Sequence, residues 1–134
     1  MSGCVLDTDV VIAALDRADA QHRAAARALR AMIADNIPLL LSLINYAETL
    51  VRPAESESAL RTAVAAIDAL GIQLSAPTPA IARDAARLRG LSISLADGFA
   101  LATARANDAS VASFDRCVRR AIEAAGIELA PALR

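Results

Sequence analysis

The chain has 134 residues, which is the size of one domain with a single core, and 56% of them are hydrophobic, which excludes global disorder. A formal net charge of -1 excludes a general attraction to nucleic acid, so binding of a polyanion requires a local patch or bound metal ions. All 14 cationic residues are arginine. Enzyme classes that depend on a lysine are therefore disfavoured.

The sequence predicts a cytoplasmic protein. No basic region precedes a long apolar one at the N-terminus, and no apolar run approaches the length of a membrane span. Cys4 and Cys117 lie far apart without metal-ligand spacing, and we expect both to be buried, unreactive thiols.

The first predicted element is a buried strand that includes Val5 and Leu6 and ends at Asp7. The pattern of apolar residues, caps and breakers then predicts the following elements. Helices are expected at 10–15, 18–35, 43–51, 55–70, 79–88, 95–105 and 116–125, and strands at 39–41, 72–75, 109–114 and 126–129.

This alternation of strands and helices predicts an α/β domain with a mostly parallel sheet. We found no repeats or linkers, so residues 1–134 are expected to form one domain that ends in a short tail at 131–134.

Acidic residues recur where predicted strands end or predicted helices begin. They are Asp7, Glu48, Asp97 and Asp115, with Asp9 beside the first. Because the carboxyl ends of parallel strands share one edge of a sheet, this spacing predicts that the acids meet there. Carboxylates completed by water are typical ligands of Mg²⁺ or Mn²⁺. No His/Cys cluster indicates zinc, and His22 is interpreted as a surface residue.

Most of these acids also have a purely structural interpretation. Asp9 is a candidate helix N-cap, Asp97 completes a capping box with Ser94, and Asp115 caps the following helix. Glu48 has a possible partner four residues later, in Arg52. Asp7 has no such evident capping role, which favours a functional role for it.

Four short motifs resemble those of the PIN-domain ribonucleases, in particular the VapC-type toxins of bacterial toxin–antitoxin pairs. They are Val-Leu-Asp-Thr-Asp-Val-Val-Ile at 5–12, Asn-Tyr-Ala-Glu-Thr-Leu at 45–50, Leu-Ala-Asp at 95–97 followed by Ala100 and Ala102, and Ser-Phe-Asp at 113–115. The resemblance covers nearly the whole chain. It implies a PIN-like three-layer α/β/α sandwich on a mostly parallel sheet of about five strands.

The resemblance also implies a catalytic metal site, in which Asp7, Glu48, Asp97 and Asp115 match the family's acidic ligands. Thr8 and Ser113 match supporting positions that hold a small hydroxyl or amide residue. Asp9 stands where many relatives have serine or asparagine, and it either adds charge to the site or caps its helix.

The activity implied is Mg²⁺-dependent hydrolysis of RNA phosphodiester bonds, with Mn²⁺ as a substitute metal. The implied partners are a VapB-type antitoxin, whose tail occludes the acidic groove, and a second copy of the chain in a homodimer. Two arginine groups are candidates for phosphate contacts, although solvated helix faces explain them more simply. They are Arg87, Arg89 and Arg105, and Arg116, Arg119 and Arg120.

Two other functions fit parts of the sequence. The stretch from Asp7 to Val11 also matches the nucleophile motif of haloacid dehalogenase-like phosphatases, with Asp7 as the nucleophile. The missing lysine and the short chain count against that interpretation. A catalytically silent PIN fold that acts only as a binding module is the remaining alternative, and the acids argue against it.

Overall fold

The computed structural model describes residues 3–134 and forms one four-stranded sheet with helices on both faces. The strands are β1 (Cys4–Leu6), β2 (Leu39–Ser42), β3 (Gln73–Ser75) and β4 (Ser110–Ala112). The helices are α1 (Thr8–Leu15), α2 (His22–Ala34), α3 (Leu43–Leu50), α4 (Glu57–Ala69), α5 (Pro79–Leu88), α6 (Leu95–Ala106) and α7 (Arg116–Ala124). Short 3₁₀ turns lie at Pro53–Glu55, Arg89–Leu91 and Pro131–Leu133.

The sheet is parallel throughout, in the order β3-β2-β1-β4. Val5 is aligned with Leu40 on one side and with Val111 on the other, so β1 lies inside the sheet. All four carboxyl ends therefore lie along one edge. Directly beyond β1, the backbone N–H of Asp7 donates to the carbonyl of Ala112 at 2.9 Å, which fixes the end of β1 against the end of β4.

Alternate residues of the buried strands contribute to two apolar clusters, one on each face. Leu6 and Leu41 belong to a cluster with residues of α1 and α2, whereas Val5 and Val111 belong to a cluster with residues of α5, α6 and α7. This is the three-layer α/β/α arrangement that was predicted.

Local sequence signals explain where most helices begin. Side-chain oxygens of Ser42, Thr78, Ser94 and Asp115 accept hydrogen bonds from backbone N–H groups in the first turns of α3, α5, α6 and α7. Two of these four caps adjoin the predicted acidic set, since Ser94 lies three residues before Asp97 and Asp115 is itself a member.

Several predicted elements are shorter in the structure, among them the strand expected at 109–114, which spans only Ser110–Ala112. The helix expected from residue 18 begins at His22, because the side chains of Asp16 and Asp19 accept from the backbones of Ala18 and Gln21 and hold that segment in turns. The strand expected at 126–129 is reduced to one parallel bridge between Leu129 and Val111.

The two cysteines differ in burial. Cys4 is buried as expected, but the prediction for Cys117 was wrong, because its side chain is exposed. The buried residues of α7 are Val118, Ala121 and Ile122, which places position 117 on the outer surface of that helix.

The C-terminal tail packs onto the domain through Leu133. Pro131–Leu133 forms a 3₁₀ turn, and Leu133 packs against the apolar cluster of α1 and α2. Residues 1 and 2 of the predicted domain lie outside the described residues. Among residues 3–134, no helix is long and apolar enough to cross a membrane.

Candidate active site at the carboxyl edge of the sheet

Five acidic residues line one small pocket of about 190 Å³ at the carboxyl edge of the sheet. They are Asp7, Asp9, Glu48, Asp97 and Asp115, and Thr8 and Ile12 complete the lining. The structure thus brings together all four acids of the predicted set, and Asp9 lies with them. They come from the junction of β1 with α1, from the helices α3 and α6, and from the N-cap of α7, which are distant in sequence.

Asp7 is the most enclosed of these acids, with 2% of its surface exposed. Its Oδ1 accepts from the backbone N–H of Thr8 at 2.9 Å, and its Oδ2 accepts from the hydroxyl of Ser113 at 2.8 Å. Asp7 is therefore the N-cap of α1, with extended backbone angles, so the expectation that Asp7 has no capping role was wrong, and Asp9, the candidate cap, lies inside the first turn. Its carboxylate is held in one orientation by the ends of two neighbouring strands.

Asp9 lies in the first turn of α1 and contacts the loop that follows β4. Its Oδ2 accepts from the backbone N–H of Phe114 at 3.0 Å, whereas its Oδ1 is buried without a hydrogen-bond partner. Two further bonds hold the same loop: Asp115 N–H donates to the Ser113 hydroxyl at 3.2 Å, and Arg119 Nε donates to the Ser113 carbonyl at 2.8 Å. Asp9 thus ties α1 to the loop that carries Ser113 and Asp115.

The other three acids are more accessible. Asp97 completes the predicted capping box, since its Oδ2 accepts from the Ser94 N–H at 3.2 Å. Asp115 Oδ1 accepts from the N–H of Val118 at 3.0 Å. Glu48 is exposed, and within residues 3–134 it forms no ion pair with Arg52. Asp97 and Asp115 each cap a helix and also line the pocket, so their structural role does not exclude a functional one.

The electrostatics of the pocket disfavour charge on its most buried member. The pKa of Asp7 is raised from 3.8 to about 7, chiefly by burial and secondly by the charges of Asp9 and Asp97. The hydrogen bonds from Ser113 and Thr8 oppose this rise. The pKa of Asp9 is raised too, chiefly by burial and secondarily by Asp115.

No arginine of residues 3–134 neutralises this pocket. Their ion pairs are Arg105 with Asp84 and Arg134 with Glu128, and neither involves a pocket acid. The N-termini of α1, α6 and α7 provide only partial positive charge there.

The residues of the pocket fit a hard divalent cation. The donors are carboxylate oxygens and one hydroxyl, which suit Mg²⁺ and Mn²⁺, and Asp9 Oδ1 is a buried acceptor that lacks a donor. Within residues 3–134, however, no three acidic, histidine or cysteine side chains are already arranged as ligands of one ion. Asp97 and Asp115 are engaged as caps, so their carboxylates have to turn in order to share an ion with Asp7.

Several contacts around the pocket were not predicted. Asn45 of α3 is fully buried and bonds to Thr8, and the role of Arg119 in holding Ser113 is likewise visible only in the fold. The signal for Asn45 was present: it is a lone amide in an otherwise mostly apolar stretch, one helical turn before Glu48. His22, interpreted as a surface residue, is partly buried, and its Nδ1 bonds to the Ala13 carbonyl at 2.8 Å.

This fold and its acidic edge define a PIN domain. The sequence model described as "PIN domain" matches residues 4–123, and the chain belongs to that family. The resemblance read from the four motifs is thereby confirmed at the level of the family. No curated protein sequence gave a significant match.

Solved structures of toxins and toxin–antitoxin complexes share the fold. The chain is similar to VapC20 of Mycobacterium tuberculosis, a sarcin-ricin loop cleaving toxin, with 20% identity over 93% of this chain and 96% of that one and a TM-score of 0.71. It is also similar to VapBC2 of Rickettsia felis bound to a promoter DNA fragment, with 17% identity over 94% and 96% of the two chains and a TM-score of 0.72. For VapBC-1 of nontypeable Haemophilus influenzae, the identity is 15% over 98% of each chain, with a TM-score of 0.72. At these identities the likeness shows a shared fold.

Proposed function

We propose that this protein is a Mg²⁺-dependent endoribonuclease that acts in the cytoplasm as the toxin of a VapBC-type toxin–antitoxin pair, with Mn²⁺ able to replace Mg²⁺. The observation that carries the proposal is the pocket in which five acidic residues from four parts of the chain meet without a cationic partner. Such a pocket is costly for a folded protein unless a cation offsets the repulsion.

In this proposal the cation is held by Asp7, Glu48, Asp97 and Asp115. When bound, a divalent cation lowers the pKa of an attacking water and neutralises charge on the scissile phosphate. Asp7 contributes a carboxylate whose orientation is already fixed by Thr8 and Ser113, so little reorganisation is needed on its side. The exposed Glu48 and the capping acids are the ligands that have to adjust.

The hydroxyl and loop residues have supporting roles. Thr8 lines the pocket and accepts a bond from Asn45, which leaves its own hydroxyl proton free to be donated to a phosphate or a water. Ser113 orients Asp7, and Asp9 holds the loop of Ser113 through Phe114 while adding negative charge. Removal of Asp9 is therefore expected to affect both the loop and the cation affinity.

RNA requires positive charge near this acidic pocket. Asp115 caps α7, and Arg116 and Arg120 are exposed on the first two turns of that helix. These two arginines are our candidates for phosphate contacts, in addition to the cation itself.

A larger groove next to the pocket is a suitable site for an antitoxin tail. This groove, of about 460 Å³, shares Ile12 and Glu48 with the acidic pocket and continues over Leu15, Pro53 and Ala63. An apolar segment that ends in a cationic side chain fits such a surface, because it reaches the acids once the apolar part is bound. The neighbours that are VapBC complexes agree with a partner of this kind.

Exposed apolar side chains support a homodimer. Leu43 and Ile44 begin α3, Leu95 begins α6 and Leu91 precedes it, and all four are 37–49% exposed. The bond from Asn45 to the carbonyl of Ala96 holds the starts of α3 and α6 together, so these side chains lie in one region. Light scattering at increasing protein concentration is expected to give the mass of a dimer, and Leu95→Asp is expected to give the mass of a monomer.

The phosphatase alternative loses its basis in this fold. The chain belongs to the PIN family, and Asp7, its required nucleophile, is buried with both carboxylate oxygens accepting hydrogen bonds. The silent binding module is the competitor that the experiments have to exclude.

Cleavage of structured RNA by the purified protein tests the proposal directly. We expect cleavage with Mg²⁺ or Mn²⁺, none with EDTA, and none from Asp97→Asn even with metal. Full cleavage in EDTA, or by Asp97→Asn, contradicts the proposed mechanism. No cleavage by well-folded wild-type protein that also fails to bind Mn²⁺ favours the silent module.

The toxin role is tested in cells. Expression of this chain alone is expected to arrest growth, and co-expression of a small gene encoded upstream is expected to relieve the arrest. Abundant, folded wild-type protein without any effect on growth argues against toxicity.

A further inference from the structure

A buried amide lies between the helices that carry the acids. Asn45 is 0% exposed, although its side chain has two N–H donors and a carbonyl acceptor that all require partners when buried. It occupies the first turn of α3, after the Ser42 cap and one turn before Glu48. Residues three apart lie on the same side of a helix, so Asn45 stands beneath the ligand proposed from α3.

Both amide hydrogens are used, and each binds a different helix. Asn45 Nδ2 donates to the Thr8 hydroxyl oxygen at 3.1 Å and to the Ala96 backbone carbonyl at 3.2 Å. Thr8 is the first residue of α1 and follows Asp7, whereas Ala96 lies in the first turn of α6 and precedes Asp97. One side chain thus joins the three segments that carry Asp7, Glu48 and Asp97.

The chemistry of the partners fixes the direction of these bonds. A backbone carbonyl can only accept, so the amide nitrogen has to face Ala96 and the amide oxygen has to face away. That oxygen, Oδ1, is buried without a donor, which no requirement of the apolar core explains. Burial of this unpaired oxygen destabilises the fold. We expect such a residue where its two donated hydrogen bonds serve a role other than packing.

Resting on the proposed metal-dependent function, we infer that Asn45 is a positioning residue. Its amide sets the separation of Asp7, Glu48 and Asp97 and thereby determines how tightly the pocket binds a divalent cation. Residues that orient ligands without touching the ion typically change metal affinity by about 10–100-fold when they are removed.

The test is isothermal titration of purified, metal-free protein with MnCl₂. Asn45→Leu conserves most of the side-chain volume and removes both donors, and Asn45→Ser keeps one donor should the leucine variant fail to fold. Thr103→Val is the matched control, because Thr103 is also buried, with 1% exposed, but lies further along α6. Melting temperatures in EDTA report whether each variant retains its fold.

We expect Asn45→Leu to weaken Mn²⁺ binding by at least about tenfold, Asn45→Ser to weaken it less, and Thr103→Val to leave it unchanged. The electron paramagnetic resonance spectrum of saturating bound Mn²⁺ is also expected to change in the Asn45 variants, which a mere loss of stability does not produce.

Unchanged affinity and an unchanged spectrum in a folded Asn45 variant overturn the inference and leave the proposed function standing. Absence of Mn²⁺ binding by the wild-type protein overturns the proposed function itself, and this inference with it. The two failures are thus distinguishable in one titration series.

Discussion

Acidic side chains gather at both edges of the sheet, but only the carboxyl edge buries one of them. The amino edge has the larger hollow, about 700 Å³, lined in part by Asp35, Asp108 and Glu128. All three of these acids are exposed, and Glu128 pairs with Arg134. The carboxyl edge has a hollow of only about 190 Å³, yet it holds five acids and includes Asp7, which is 2% exposed.

The direction of the helices explains this difference. Helices α1, α6 and α7 begin at the carboxyl edge, where their free N–H groups bind carboxylates and draw them inward. Helices α2, α6 and α7 end near the amino edge, where their free carbonyls repel carboxylates, so acids there stay in solvent. The volume of a hollow is therefore a poor guide to function in this fold, and the burial of charge is a better one.

The largest effect is expected from replacing an acid of the carboxyl edge. Replacement of an acid of the amino edge is the control. Asp7→Asn retains a side-chain oxygen for the cap of α1 but removes the proposed ligand charge, and we expect RNA cleavage to fall by about 1,000-fold, since metal activation is worth several kcal/mol. Asp108→Asn, at the amino edge, is expected to cleave at the wild-type rate. Comparable losses in both variants would remove the distinction between the edges.

The second prediction concerns stability and pH in EDTA. The pKa of Asp7 in the folded protein, about 7, exceeds its ordinary value of 3.8, so the stabilisation from its protonated form is complete below about pH 4 and is lost as the pH rises through 7. We expect the free energy of unfolding to fall over that window by at most about 4 kcal/mol. Urea titrations between pH 4 and pH 8 measure it.

The matched comparison again uses one acid from each edge. Asp7→Asn is expected to flatten the decline because the neutral amide does not titrate, whereas Asp108→Asn is expected to keep it. A wild-type protein whose stability stays constant across the window would show that Asp7 is not destabilised by its surroundings.

A smaller effect is expected from the packing behind Asp97. A Cβ atom added to Gly98 would lie 2.7 Å from the backbone carbonyl oxygen of Ala85, so α6 has to move away from α5. We expect Gly98→Ala to destabilise the protein by about 1–3 kcal/mol, as overpacking does, and to weaken Mn²⁺ binding through displacement of Asp97. Thermal unfolding with and without Mn²⁺ separates the two effects, and Gly90→Ala, where an added Cβ atom meets no neighbour within 4 Å, is the control.

The smallest effect is expected at the amino edge. Glu128 and Arg134 form an ion pair whose side chains are 63% and 55% exposed, and such pairs contribute about 0.5 kcal/mol or less in salt. Glu128→Gln is therefore expected to leave the melting temperature almost unchanged. A loss of several degrees would show that this ion pair contributes more to stability than the exposure of its side chains indicates.

Local patterns predicted the parts of this fold that depend on local chemistry. The strand and helix order, the capping box of Asp97 and the cap at Asp115 all follow from residues a few positions apart. The convergence of the four acids also followed from sequence, because parallel strands place their carboxyl ends at one edge.

The features that sequence did not predict depend on contacts between distant residues. The capping role of Asp7 was missed because it depends on the extended backbone of that residue, and the bond between Asp9 and Phe114 depends on β1 and β4 being neighbours. The same holds for the two bonds of Asn45, which join segments far apart in the chain. Such contacts are determined by the tertiary fold, and local periodicity in the sequence does not predict them.

The most direct test of the account is a crystal structure of the protein soaked in Mn²⁺, with anomalous scattering recorded at the manganese edge. We expect an anomalous peak at the carboxyl edge, bound by oxygens of Asp7, Glu48, Asp97 and Asp115, with the pocket acids drawn together around it. No peak at this edge at saturating Mn²⁺, or a peak only among Asp35, Asp108 and Glu128 at the amino edge, would contradict the central claim.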